Sequence, residues 1–184
     1  MDYQIFTRTP KVQPILIFMY ELEMLNATHY LYDVRDQKHR KGAILESFLL
    51  HARNLVEFFE GKPKYEDDLT CRDFQDLNGV PIEGISLGFP NDFMKLLHKH
   101  LAHMSKVRLD DKPGWGMKEI RHKINEHAIF FIEQCAISNF PANSTKEDYL
   151  RQLKEWRKRQ PNSQLMKCAE LLLSEVVSVY QKSI

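Results

Sequence analysis

Residues 45–59 read LESFLLHARNLVEFF, and this stretch decides the fold. Side chains advance by about 100° per residue around an α-helix, so residues three or four positions apart share a face. The large apolar residues follow that spacing and form one continuous face: Leu45, Phe48, Leu49, Ala52, Leu55, Val56 and Phe59. The pattern predicts a helix over about 42–60 with one buried face, stopped by Gly61 and by Pro63 just beyond.

Helical periodicity continues on both sides of this stretch. The sequence predicts further helices over about 13–32, 92–108, 117–137, 144–160 and 164–181. Ser144 and Glu147 are predicted to form a capping box, which satisfies free backbone N–H groups at the start of a helix. No internal repeat and no strand-like alternation interrupts the series.

The least regular part of the sequence is residues 62–90, which contain three prolines and three glycines. We expect an ordered excursion there, with one turn of helix near 69–74. It is either a packed connector, which is the commoner case, or a lid or binding loop. A charged turn over 35–41 joins the first two helices. Helices joined mostly by short turns predict an all-α protein, an antiparallel bundle of five to six helices in a single domain over 1–184.

The charge balance argues against a strong overall attraction to any class of partner. Lys and Arg number 26 and Asp and Glu number 25, so the formal net charge is only +1. Such a chain is not drawn as a whole to nucleic acid or to an anionic membrane. No apolar run approaches the 18 or so residues of a membrane span, so no membrane association is predicted. The motifs of nucleotide-binding and zinc-protease sites are absent, and no cofactor is predicted.

The cysteines predict a reducing environment. Cys71, Cys135 and Cys168 are far apart in the sequence and form no C-x-x-C pair. An odd number of widely spaced cysteines disfavours both a disulfide framework and a cysteine zinc site. The N-terminus shows no basic leader, and we therefore expect a cytoplasmic protein.

Polar residues of the 42–60 helix fall on two sides of its apolar face. His51 lies at the edge of that face, whereas Arg53 groups with Glu46 and Glu57 on the far side. Arg53 and Glu57 are four residues apart, which predicts a local ion pair. Leu50 also points away from the core. Together with Arg53 it indicates a second buried face, either under the 62–90 excursion or in a dimer.

Four histidines lie on or beside faces that should meet inside the bundle: His51, His100, His103 and His127. His98, in contrast, is predicted to face solvent. Three interpretations of the four stay open. In the first, they are core histidines whose ring nitrogens are satisfied by hydrogen bonds. In the second, they are metal ligands, and the candidates are His51, His100 and His103. In the third, they are acid–base groups of a polar pocket.

Two segments resemble an uncharacterised bacterial family of small helical proteins. The first is ESFLLHARNL at 46–55, and the second is HLAH at 100–103 with an arginine five residues further on. The resemblance covers about 60 residues and implies an all-α fold without an established activity. It carries over these polar residues: Glu46, His51, Arg53, Asn54, His100, His103 and Arg108.

At greater distance the layout resembles HEPN domains, which are helical bundles, often dimeric, in defence and toxin–antitoxin systems. Many of them are metal-independent ribonucleases with an arginine, a polar residue, and a histidine five to seven positions after the arginine. Arg121, His122 and His127 match that pattern. The resemblance therefore implies Arg121 and His127 as catalytic residues of a ribonuclease.

These observations lead to three hypotheses about function. The first is a HEPN-like interaction module with a protein partner or a second copy of itself. The second is a metal-independent ribonuclease, in which an arginine stabilises charge on the phosphate and a histidine transfers a proton; RNA is then the partner. Besides the motif pair, Arg53, His100 and His103 are its candidates from the helix faces. The third is a bundle that binds a metal or a small molecule.

Overall fold

The structure, a computed structural model, describes residues 13–34, 38–102 and 114–158. Five α-helices lie in this part of the chain: α1 (Pro14–Val34), α2 (Lys38–Glu60), α3 (Phe93–Ala102), α4 (Met117–Gln134) and α5 (Lys146–Arg157). The same residues contain no β-strand, only two isolated bridges. The predicted all-α class is confirmed. The predicted helix over 164–181 lies outside the described residues.

The α1–α2 hairpin is the centre of the fold. Helix α4 packs against α1, α2 and α5, and α3 packs against α2. The core is rich in aromatic rings, and Phe131 of α4 lies at its middle. The ring of Phe131 is 5.0–6.0 Å from four other rings, those of Phe18, Phe58, Phe59 and Phe74. One phenylalanine of α4 thus joins α1, α2 and the segment that follows α2.

The predicted apolar face of α2 is buried, with Phe48, Ala52 and Phe59 fully enclosed. The helix begins earlier than predicted, at Lys38 instead of about 42. The reason is that the basic residues of 38–41 are good helix formers, apart from the histidine, and extend the helix by one turn. Residues 38–41 of the predicted charged turn are therefore helical, and residues 35–37 lie outside the described part of the chain.

Helix α4 ends at Gln134, three residues before the predicted end. The backbone N–H of Ala136 donates to the carbonyl of Gln75 at 2.8 Å, and Cys135 pairs with Asp76 as a bridge. These contacts hold the chain in an extended conformation and so end the helix. The predicted helix over 92–108 is described only as α3, because residues 103–113 lie outside the described ranges.

The cap of α5 lies one residue later than predicted. Thr145, and not Ser144, is the N-cap, and its reciprocal partner is Asp148 instead of Glu147. The N–H of Ser144 already donates to the Pro141 carbonyl, which places Ser144 in the preceding turn. The hydrogen bond from Thr145 holds the pKa of the Asp148 carboxyl below its ordinary value.

The excursion between α2 and α3 packs against the core, as predicted for a connector. Its one helical turn, Cys71–Asp73, lies where the sequence predicts it. Four of its apolar side chains are buried: Cys71, Phe74, Ile82 and Leu87. Gly84 lies directly against the end of α2, where a Cβ atom would be 2.3 Å from the Glu60 carbonyl oxygen. Backbone contact at this point joins the excursion to α2.

Candidate functional site

A hydrogen-bonded polar network runs along the seam between α1 and α2. The Nδ1 atom of buried His51 lies 2.7 Å from Oε2 of Glu21, on the facing helix. The side-chain amide of Asn54 donates to the same oxygen at 3.2 Å. A carboxylate can only accept, so Nδ1 of His51 carries a proton in this pairing. Glu21 therefore sets the tautomer and the orientation of the imidazole.

Arg53 extends the network along α2. Its Nη2 atom donates to Oδ1 of Asn54 at 3.3 Å, and its Nε lies 3.9 Å from Oε2 of Glu57. The predicted ion pair between Arg53 and Glu57 is thus present. The Nε atom of Arg53 is buried and has no hydrogen-bond partner. The guanidinium therefore lies between Asn54 and Glu57, and its Nε–H group makes no hydrogen bond.

Glu57 is the meeting point of three segments. Its Oε1 atom accepts a hydrogen bond from Lys64 of the excursion, and Nε2 of His98 in α3 lies 3.4 Å from the same atom. The prediction that His98 faces solvent is wrong. Its side chain is about one-third exposed and turned toward α2, because α3 packs against that helix.

A cleft of about 210 Å³ opens beside this network. Its walls come from α1, from the C-terminal half of α2 and from the start of the excursion. Apolar residues such as Phe18, Leu55 and Phe58 lie on it together with polar ones, namely Glu21, Asn54, Glu57, Lys62, Lys64, Asp68 and Thr70. The network and the cleft together are the first candidate site.

The structure brings together three of the seven family-pattern residues, His51, Arg53 and Asn54. Glu46 lies on the exposed side of α2. His100 lies on α3 with its ring 5.5 Å from that of Trp115, and its Nε2 atom is buried without a hydrogen-bond partner. The other two, His103 and Arg108, lie outside the described residues.

The predicted ribonuclease pair, Arg121 and His127, occupies two different environments on α4. Arg121 is buried, and its Nη1 donates to the Trp156 carbonyl at 3.2 Å and to Oδ1 of Asn26 at 3.4 Å. His127 bonds through Nδ1 to the Lys123 carbonyl and packs on a core phenylalanine. The described contacts of the two residues share no partner, so convergence of the pair stays a prediction.

Two of the candidate metal ligands and the buried thiol of Cys135 can be placed within the described ranges. No group of three His, Cys, Asp or Glu side chains there is arranged to hold a metal ion. His51 bonds to Glu21 and His100 packs on Trp115, so these two candidate ligands face different neighbours. Burial raises the pKa of the Cys135 thiol to about 12, which keeps it neutral and weakly nucleophilic.

A second candidate surface, here called the hairpin face, consists of Leu16, Ile17, Tyr20 and Leu50. Their side chains are 40–50% exposed. The Tyr20 ring lies 6.1 Å from that of His51, the neighbour of Leu50, so α1 and α2 contribute to one surface. Large apolar residues exposed as a group, unlike single ones, are typical of interaction sites.

Sequence reasoning missed Glu21 as a member of the polar network. The sequence already marked Glu21, since the 21 residues of α1 contain only three acidic side chains, Glu21, Glu23 and Asp33. An isolated carboxylate in an apolar helix usually has a specific partner. Sequence alone could not name that partner, because His51 is 30 residues away.

Comparisons of the chain with protein-family models, with curated proteins and with solved structures found no match. The resemblances to the uncharacterised family and to HEPN domains therefore remain predictions that rest on the motifs alone. Within the described residues, every helix is too short or too polar to cross a lipid bilayer.

Proposed function

We propose that the protein is a helical interaction module that associates with a second copy of itself through the hairpin face. The observation that carries this proposal is the composition of α1. Its exposed side carries Leu16, Ile17 and Tyr20, although its other side is fully buried in the core. The first turns of α1, before Glu21, are thus apolar around their whole circumference, and such a segment is normally covered on all sides.

The dimensions and the charge of the hairpin face suit a second copy. The hairpin face is part of the outer side of α1 and α2. Two helices about 30 Å long and about 10 Å wide present roughly 600 Å² on that side, against roughly 800 Å² per partner in a standard interface. A net charge of +1 gives two copies little mutual repulsion. Acidic Glu21 and basic Arg53 lie within one network beside the face, and a two-fold contact needs such self-complementary charge.

The substitution Leu50→Asp tests self-association. In a two-fold interface the new carboxylate is buried twice, without a partner, so we expect the dissociation constant to rise by about 100-fold or more. Light scattering coupled to size-exclusion chromatography should show a wild-type dimer and a monomeric variant. Leu77→Asp is the matched control, because Leu77 is 69% exposed on the excursion and should leave the dimer intact. A monomeric wild type would sink the proposal.

A ribonuclease is the second candidate function, and the pairing of His51 with Glu21 favours it. A histidine oriented by a carboxylate is suited to proton transfer. Arg53 joins the same network through Asn54 and Glu21, and its guanidinium is the group that would stabilise charge on a phosphate. The site supported by these contacts differs from the motif pair Arg121 and His127. The defence or toxin–antitoxin context implied by the HEPN resemblance stays a prediction.

Cleavage of cellular RNA in EDTA tests this candidate and separates its two sites. If the network is catalytic, His51→Gln should slow cleavage by about 100-fold or more, while His127→Ala has little effect. If the motif pair is catalytic, the two results are exchanged. Arg151→Gln serves as control, since Arg151 is exposed on α5, pairs with Asp148 and belongs to neither candidate site. RNA that stays intact at every protein concentration would remove this candidate.

A further inference from the structure

We infer that Arg53, Lys64 and His98 form a binding site for a phosphate group, and that the carboxylate of Glu57 occupies this site in the ligand-free protein. The inference concerns binding alone. It shares Arg53 with the ribonuclease candidate, but it requires neither RNA cleavage nor self-association.

The first argument is the convergence of basic groups on one anion. Lys64 Nζ and His98 Nε2 both approach Oε1 of Glu57, while Arg53 Nε approaches Oε2. The Lys64 and His98 nitrogens are also only 3.4 Å from each other. The Lys64 ammonium donates to Nε2 when His98 is neutral, and an anion shared by the two groups stabilises both when His98 is protonated. α2, the excursion and α3 thus each contribute one basic group.

The second argument is that one carboxylate does not satisfy these donors. Arg53 and Lys64 carry two positive charges against the single negative charge of Glu57, before any protonation of His98. The buried Nε of Arg53 has no hydrogen bond at all. A phosphate group carries more charge than a carboxylate and has at least three acceptor oxygens, so it matches this donor set better.

The third argument is space beside Lys64, the member of the three basic groups that lines the cleft. Glu57 and Lys64 line the 210 Å³ cleft, which holds several waters at about 30 Å³ each and so has room for a phosphate. Lys62 adds a further cation to the lining. Two other carboxylates reach the cleft but are already engaged. Glu21 bonds to the amide of Asn54, and Asp68 accepts from the backbone N–H groups of Lys64 and its neighbour.

Glu57 therefore acts as an internal competitor for the phosphate. The substitution Glu57→Gln keeps the size of the side chain and removes its charge. We expect it to tighten phosphate binding by about tenfold or more, because the incoming anion no longer displaces a carboxylate from the basic groups. A purely structural ion pair predicts the opposite, a variant that is less stable and binds phosphate no better.

Isothermal titration of the full chain with inorganic phosphate, at constant ionic strength set with chloride, measures this difference. Glu57→Gln should bind clearly more tightly than wild type, and adding Lys64→Met to it should abolish the gain. Adding Lys154→Met is the control, because Lys154 is an exposed lysine on α5 and should leave binding unchanged. Circular dichroism checks that each variant is folded, as expected for half-exposed positions 57 and 64.

A second titration with a short single-stranded RNA distinguishes the source of the phosphate. If both ligands bind and Lys64→Met weakens the binding of both to the same extent, the site is assigned to a polynucleotide backbone. Binding of inorganic phosphate alone assigns it to a small phosphorylated ligand. Absence of phosphate binding in Glu57→Gln, or binding that survives Lys64→Met, would overturn the inference.

Discussion

Replacing Phe131 by alanine is expected to lower the free energy of unfolding by about 3–5 kcal/mol. The Phe131 side chain is fully buried, and its ring touches rings from α1, α2 and the excursion. The substitution removes apolar surface from the core and leaves a cavity that these large rings cannot fill without moving. Because domains are stable by only about 5–15 kcal/mol, the loss is a large fraction of the total.

Urea denaturation followed by circular dichroism measures this loss, and the neighbouring residue supplies the control. Phe130 lies on the same helix and is 51% exposed. Phe130→Ala should change the free energy of unfolding by no more than about 0.5 kcal/mol. Equal effects of the two substitutions would mean that α4 does not present Phe131 to the core, and the described packing would then be wrong.

Replacing Gly84 by alanine is expected to lower the free energy of unfolding by about 3 kcal/mol, which is at the upper end of the range for overpacked substitutions. The added Cβ would lie 2.3 Å from the carbonyl oxygen of Glu60 and 3.0 Å from its carbonyl carbon. Both atoms are backbone at the end of α2, so no side-chain rotation can relieve the contact. The excursion would have to separate from α2, which would break the hydrogen bond from Ile85 N–H to the Phe59 carbonyl.

The matched control for Gly84 is Gly42, where replacement by alanine should stabilise the fold instead of destabilising it. Gly42 lies within α2 and has no atom within 4 Å of the position of an added Cβ. Alanine is the better helix former by about 1 kcal/mol, so Gly42→Ala should raise the melting temperature while Gly84→Ala lowers it. A Gly84→Ala variant as stable as the wild type would show that the excursion is not held against α2.

The candidate site was only partly predictable. The sequence placed His51 at the edge of the core face and paired Arg53 with Glu57, because both statements depend on spacing within one helix. It also predicted that Leu50 points outward, and the structure places Leu50 on the hairpin face. His98 was misassigned because its exposure depends on how α3 packs against α2, which helical spacing does not report.

The sequence by itself determined the helical class, the buried face of α2, its end at Glu60 and the single turn at Cys71–Asp73. Each of these follows from local spacing, propensity or a glycine stop, which act over a few residues. Only the tertiary structure decided that Glu21 holds His51, and that Lys64 and His98 meet at Glu57. Helical periodicity tells which way a side chain points, but the packing of distant helices decides what it meets.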